Sequence, residues 1–386
     1  MDRFTKTYRS KLTSIEKGLK DLKSDPEFRI SHEQEPYVCD LVLAGGGAKG
    51  VAHLGALWAL DTLGIRIKRL AGNSAGAIIA AFLAAGYSVD EMIDELFNID
   101  FLSFRDGFWD KRLPKFALIA TISTTFGLYE GDKLQAWIEE SLVKKHANTF
   151  GRLPRDEVGM LSKITQSDGN RLTVIASDVT HSKDLVLPDE IQKEMYGRLR
   201  IGSFPVSAAV RMSISVPFFF TPYKLHNSLI VDGAFASNLP IEIFDRPDPS
   251  EVRWPTLGIN LVSDPAPGYP PDDLFHFGLA IFDTMRYGQS KMSTINYPTR
   301  ICRIIEAPTQ EVKTLDFDIK KEQKERLFVN GARAVLDTLK GVDNLGLRSI
   351  WNFDRYLRLR KRWSFPPSDE KYFQDPPDGD TGGGGI

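Results

Sequence analysis

Apolar residues recur at Tyr8, Leu12, Ile15, Leu19 and Leu22, a three-to-four spacing that predicts an amphipathic helix over 5–23. The period then changes. Val38–Leu43 is a strand-like run that ends in Gly45-Gly46-Gly47-Ala48-Lys49-Gly50. Residues 51–63 have helical spacing and stop at Gly64; 65–70 is a second strand, followed by Gly72-Asn73-Ser74-Ala75-Gly76 and a small-residue helix over 75–85. Ser88 caps another helix, with Asp90 and Glu91 in its first turn. Strand, turn and helix repeated in this way predict an α/β fold with a parallel sheet. Strands are also expected at 171–177, 228–231 and 256–262, and helices at 131–145 and 320–339. There is no internal repeat and no linker before residue 364.

Composition narrows the class. The chain has 386 residues, of which 42% are hydrophobic and 26% charged, a globular balance that excludes a disordered or collagenous protein. Lys and Arg number 49 against 51 Asp and Glu, so a partner that is a nucleic-acid polymer is not expected. Two cysteines, Cys39 and Cys302, cannot build a disulfide scaffold and fit a reducing compartment. The first residues lack the apolar core of a signal peptide, and the longest apolar stretch, 75–85, is too short to span a bilayer. The expectation is a cytoplasmic protein peripheral to a membrane, or one exported without a cleaved signal.

Three short segments carry chemistry. Gly72-Asn73-Ser74-Ala75-Gly76 is G-x-S-x-G between a strand and a helix, the context in which a sharp turn exposes a nucleophilic hydroxyl at a helix N-terminus. A glycine-rich packing turn is the alternative. A serine nucleophile needs a base, and Ser74, Asp232 and His276 would satisfy the order Ser, acid, His; but His276 lies in an apolar run read as a packed helix, which directs attention to a base other than histidine. The Gly45–Gly50 loop formally matches a dinucleotide fingerprint, but no acid ends the second strand; it fails as a Walker loop because Gly50 follows Lys49. A third reading is an oxyanion loop, in which consecutive glycines let backbone N–H groups converge. Asp232-Gly233-Ala234 follows an apolar strand and could deliver a carboxylate to a site or form a simple turn.

Taken together, GGGAKG at 45–50, GNSAG at 72–76 and DGA at 232–234 resemble, in order and spacing, the motifs of the patatin-like phospholipase family. GLYEGDKLQAWIEESL at 127–142, VIASDVTHSKDLV at 174–186 and AAVRMSISVPFFFTP at 208–222 extend the resemblance across roughly 38–340. The resemblance implies a three-layer α/β/α fold with a mostly parallel central sheet. It implies a lipid acyl hydrolase of the phospholipase A or lysophospholipase type that works through a Ser74–Asp232 dyad and an acyl-enzyme. Gly45, Gly46, Gly47, Ala48, Lys49 and Gly50 would hold the oxyanion, with Lys49 outward or fixing the loop and without a proton-transfer role. Gly72, Asn73, Ala75 and Gly76 would form the nucleophile elbow, and Gly233 and Ala234 the turn beside the proton acceptor. No cofactor or metal is implied, and no metal-ligand spacing occurs. The implied substrate is membrane phospholipid or lysophospholipid, reached by transient membrane-surface contact, and an activating partner or small ligand is a reasonable further expectation with no residue to name it. An acyltransferase using the same acyl-enzyme and a lipid-binding scaffold with a silent site are the alternatives.

The expected organisation is an N-terminal helical extension over 1–37, a catalytic domain over 38–340, a basic and aromatic extension over 341–363 and a disordered tail over 364–386. Residues 99–126 mix Phe101, Phe104, Phe108, Trp109, Phe116 and Phe126 with cations, and read as a lid or docking surface or as a second core layer. Residues 347–363 hold six basic residues and four aromatics, the composition of a headgroup-binding patch or of a solvated surface element.

Overall fold

The computed structural model describes residues 4–32, 37–97, 99, 101–106, 115–154, 169–246, 248–263, 268, 271–295, 300, 302–309, 312–341 and 350–362. The expected tail at 364–386 and residues 107–114 of the aromatic stretch lie outside them. The strands are β1 (Val38–Leu43), β2 (Arg66–Asn73), β3 (Gly127–Tyr129), β4 (Leu172–Asp178), β5 (Lys183–Leu187), β6 (Phe218–Phe220), β7 (Tyr223–Leu225), β8 (Ser228–Asp232), β9 (Thr256–Val262) and β10 (Ile304–Pro308). The helices are α1 (Lys6–Lys23), α2 (Val51–Thr62), α3 (Ala75–Ala84), α4 (Val89–Phe97), α5 (Lys115–Thr125), α6 (Asp132–Lys144), α7 (Val206–Ser213), α8 (Leu274–Ile295), α9 (Lys321–Leu339) and α10 (Phe353–Arg362).

The fold is the expected three-layer α/β/α arrangement around a mostly parallel sheet. Its strand order is β10-β9-β1-β2-β4-β8-β7, with β5 paired to β4. β10, β9, β1, β2 and β4 run parallel, while β5 and β8 run antiparallel to β4. The runs of β1 and β4 are buried throughout, as parallel strands covered on both faces must be. One face carries the main core, including Leu41, Leu43 and Leu70 with α1, α2 and α9; the other buries Val42, Ala71 and Ile304 under Leu239 and Ile241.

The register of β4 positions the site. β5 pairs with Val174–Asp178, so it fills one edge of β4 over that span. On the other edge β2 pairs Leu70–Asn73 with Leu172–Ile175, and β8 takes over by pairing Asp232 with Ala176. The end of β2 and the end of β8 therefore meet at adjacent positions of the same edge. The residues that leave them, Ser74 and Asp232, are brought together from 158 positions apart by this exchange of partners.

α2 and α9 cross closely at glycines. A Cβ on Gly55 would lie 1.8 Å from Phe328 O, and one on Gly331 would lie 1.9 Å from Ala52 O. Gly331→Ala should therefore destabilise the protein by about 2–4 kcal/mol by forcing the helices apart, although alanine in a helix interior ordinarily gains about 1 kcal/mol over glycine. A fall in the urea midpoint tests this; an unchanged or raised midpoint would show that the helices separate at no cost.

The first and last described helices, α1 and α10, pack onto this body. α1 buries the five residues that its spacing singled out. Its N-terminus is fixed where Thr5 donates its backbone N–H and its hydroxyl to the two oxygens of buried Glu325 on α9, each at 2.9 Å. Arg29 and Trp351 to Phe353 exchange backbone hydrogen bonds. Trp351, Phe353 and Tyr356 are buried, and Arg360 is buried against the Tyr356 hydroxyl and Arg246 O. Trp351, Phe353 and Tyr356 thus serve as packing, and the outer face of α10 is left to Arg355, Arg358, Lys361 and Arg362; residues 347–349 and Trp363 of the basic stretch lie outside the described residues.

Candidate active site

β2 ends at Asn73 and α3 begins at Ala75, so Ser74 alone turns the chain. It does so at φ 51°, ψ −123°, a left-handed backbone that a side chain adopts only where the surroundings impose it. The imposition is visible. Ser74 N–H donates to Ser213 Oγ at 2.8 Å, and Ser213 in turn donates to Ile175 O on β4. Gly76 lets α3 press on β1: a Cβ there would lie 2.4 Å from Leu43 O. Gly72 passes just as closely under the first turn of α3, where a Cβ would meet Gly76 O at 2.5 Å.

Asn73 is buried and ties this turn to the segment after Asp232, donating from Nδ2 to Ser237 O at 3.0 Å and Asn238 O at 3.4 Å. Gly233 completes the junction, since a Cβ on it would lie 2.6 Å from Asn73 Oδ1. Asp232 is fully buried, donates its N–H to Ser215 O at 2.9 Å and accepts the Ala234 N–H on Oδ1 at 2.9 Å. Its Oδ2 takes no hydrogen bond of full geometry among the described residues, yet the Ser74 hydroxyl lies close enough to favour the charged carboxylate. Burial drives the Asp232 carboxyl up to about 7, against the pull of the Ser74 hydroxyl, the Ala234 N–H and the Arg286 cation.

The six loop positions divide. Ala48 N–H is taken by Thr314 O at 2.9 Å and Lys49 N–H by Gly46 O at 3.2 Å. Among the described residues no backbone acceptor takes the N–H groups of Gly45, Gly46 and Gly47. Gly45 abuts Ser74, whose Cβ is 3.0 Å from where a Gly45 Cβ would sit. Gly47 has φ +56° and no room for a side chain, its Cβ position lying 1.9 Å from Thr314 O. Gly50 rests against Ala75. Lys49 is not held outward: it is buried, donates from Nζ to Ser263 Oγ at 3.1 Å, and its ammonium is pushed down to about 8 by burial and then by nearby Arg286. Its ammonium links the loop to the residue that follows β9.

No histidine joins Ser74. His276 is half-exposed with its ring against Asp273, not packed in the core; it stands in the first turn of α8, where Asp273 just before the helix also accepts its N–H. His181 and Ser228 both approach through His181 Nδ1, which already bonds Asp178, so they form no relay. Buried His53 bonds Ala44 O at 2.9 Å, and burial holds it down at about 4, hence neutral, beside the entry to the glycine loop. Among the described residues no cluster of three or more His, Cys, Asp or Glu could hold a metal.

Ser74, Gly47 and Ala75 open onto an apolar cavity of about 70 Å³. Phe104, Ile214, Phe219, Phe220, Leu315 and Phe317 are among its walls, with Arg105 as the cation beside them. Residues 99–126 thus contribute lining at Phe104 and Arg105 and an exposed ring at Phe126. Ser213, Asn238, Arg286 and Gln289 were not anticipated as site residues, because nothing local in the sequence distinguishes them. A serine on a strained turn, a buried carboxyl lifted toward neutrality and an apolar cavity together suit acyl transfer from a hydrophobic ester.

The patatin-like phospholipase family model matches residues 41–245. The YqhO protein of Bacillus subtilis is 34% identical over 303 residues, covering 76% of this chain and 95% of its own. A probable lipid hydrolase, 463L, of Invertebrate iridescent virus 6 is 28% identical over 210 residues, covering 54% and 63%. VipD of Legionella pneumophila has a solved structure with TM-score 0.48 and 16% identity over 83% of this chain and 72% of its own. The chain belongs to the patatin-like phospholipase family of lipid hydrolases.

Proposed function

We propose that this chain cleaves fatty-acyl esters of phospholipids or lysophospholipids by acyl transfer to Ser74, with Asp232 as the only proton carrier. Asp232 takes the Ser74 proton as Oγ attacks the ester carbonyl, and the N–H groups of Gly45, Gly46 and Gly47 receive the oxyanion. Collapse expels the lipid alcohol, which takes the proton back from Asp232 and leaves an acyl-enzyme. Asp232 then deprotonates water for attack on the acyl carbonyl, and the proton returns to Ser74 Oγ as the fatty acid leaves. The observation that carries this reading is the Asp232 carboxyl poised near 7 beside a strained serine at an apolar cavity, because a base works best with a pKa near the working pH. The test is product analysis with defined phosphatidylcholine and lysophosphatidylcholine, with and without an added alcohol. Free fatty acid in both supports the hydrolase; acyl product appearing only with the alcohol would show a transferase, and bound but uncleaved lipid a silent scaffold.

Substrate is reached by transient contact from the aqueous side. Exposed Phe126, Leu274, Phe277 and Ile281 support this, lying at the end of α5 and along α8, which pack on one another and, through α8, on β6 at the cavity wall. Replacing Phe126 and Phe277 by serine should lower release from vesicles about 100-fold or more while leaving hydrolysis of a soluble short-chain ester within about twofold, as expected for losing roughly two buried aromatic contacts with lipid. Equal losses on both substrates would contradict the contact.

A further inference from the structure

α8 passes behind the reacting groups and touches both halves of the site. On it, Gln289 donates from Nε2 to Phe235 O at 2.8 Å and accepts at Oε1 from Asn238 N–H at 3.1 Å. Both partners are backbone groups, one able only to accept and the other only to donate, so the amide orientation is fixed. The segment between them is the one that Asn73 grips from the opposite side, through Ser237 O and Asn238 O. One turn earlier Arg286, almost fully buried, pairs with Asp283 at 3.0 Å. Asp283 Oδ1 also accepts the Thr314 hydroxyl at 2.9 Å, and Thr314 O receives the Ala48 N–H of the glycine loop. A single helix thus connects the loop that would hold the oxyanion with the turn that carries Asp232.

We propose that Gln289 and Arg286 are positioning residues of this site, α8 acting as a bracket that sets the distance between the glycine loop and the Asp232 turn. The inference rests on the reading of Ser74 and Asp232 as the reacting pair. The groups that face Asp232 are the Ser74 hydroxyl, the Ala234 N–H and Arg286, and those around Arg286 are Asp283 on its own helix and Lys49 in the loop. Of these, Arg286 is the one cation that favours the charged carboxylate. A site whose donors and base sit on separate loops needs such a fixed spacer, because a displacement of about 1 Å can cost about 100-fold in rate.

The test uses the full-length protein and a soluble p-nitrophenyl ester. Gln289→Met keeps the side-chain length and removes both hydrogen bonds; kcat should fall about tenfold or more with KM within about twofold. Gln289→Glu, which keeps the acceptor for Asn238 but sets a carboxylate against Phe235 O, should show the same loss if the methionine variant folds poorly. Arg286→Met should move the rise of kcat/KM to higher pH, on the order of half a unit or more, and Arg286→Lys should restore it. Parent-like kcat in both Gln289 variants, or an unmoved pH profile in Arg286→Met, with Ser74→Ala inactive, overturns the bracket and leaves the dyad standing. Activity surviving in Ser74→Ala overturns both.

Discussion

Ser74→Ala lowers fatty-acid release from phospholipid by about 10⁴-fold or more and leaves the fold intact, the size of loss seen when a nucleophile is removed from a serine hydrolase. The fold should survive because what holds residue 74 in place is its backbone. Its N–H is taken by Ser213, its carbonyl begins α3 through Ala77 and Ile78, and neither bond uses the hydroxyl. Alanine inherits the strained backbone at φ 51° without any lost packing, since only the oxygen that faces Asp232 and the cavity is removed. A thermal melt within a few degrees of the parent, measured beside the rate, separates lost chemistry from lost structure. Rates within tenfold of the parent would show that another residue is the nucleophile.

Asp232→Asn should abolish turnover and yet raise stability at alkaline pH. The carboxyl has an ordinary value of 3.8 and stands at about 7 in the fold because burial disfavours its charge. Activity therefore rises with pH through about 7 as the base ionises. Stability moves the other way. Below 3.8 both folded and unfolded chains carry the proton and the group costs nothing. Between 3.8 and 7 the unfolded chain ionises while the folded one stays protonated, so stability falls, and above 7 the whole cost persists. Asparagine keeps the acceptor for the Ala234 N–H and removes this cost, about 2–4 kcal/mol at pH 8. The denaturant midpoint of the variant should exceed the parent's at pH 8 and approach it near pH 4. A variant less stable than the parent at pH 8 would mean that the carboxylate is a structural anchor and not a strained base.

The parts of the fold that could be read in the sequence are those where local pattern and tertiary role coincide. β1, β2, α2 and α3 follow from runs of apolar residues broken by glycines, and the same glycines prove to be where backbones touch, as at Gly76 against Leu43 O. Ser74 was legible because a nucleophile turn needs small neighbours within four residues. Asp232 was legible only in the company of the other two motifs, since Asp-Gly alone is a common turn. The exchange of β2 for β8 along β4 was not legible: it depends on β5 occupying the other edge, a pairing decided by register and not by composition. The environments of Lys49 and His276 were not legible: the lysine is buried on Ser263, which arrives from 214 positions away, and the histidine is half-exposed on Asp273, the acid that precedes α8. Gln289 and Arg286 carry no local signature, as their partners are backbone atoms and charges more than fifty positions away in Phe235, Asn238 and Asp232.

The central claim, that an acyl group passes through Ser74 with Asp232 as base, is tested most directly by trapping that acyl group. The Asp232→Asn protein, incubated with phosphatidylcholine and then quenched and digested, should show the peptide containing Ser74 heavier by one fatty-acyl group, since any slow acylation is followed by still slower deacylation without a base. Ser74→Ala should show no adduct, and a fluorophosphonate should label the parent at the same peptide. An acyl or phosphonyl adduct on a different residue, or undiminished fatty-acid release from Ser74→Ala, would contradict the account.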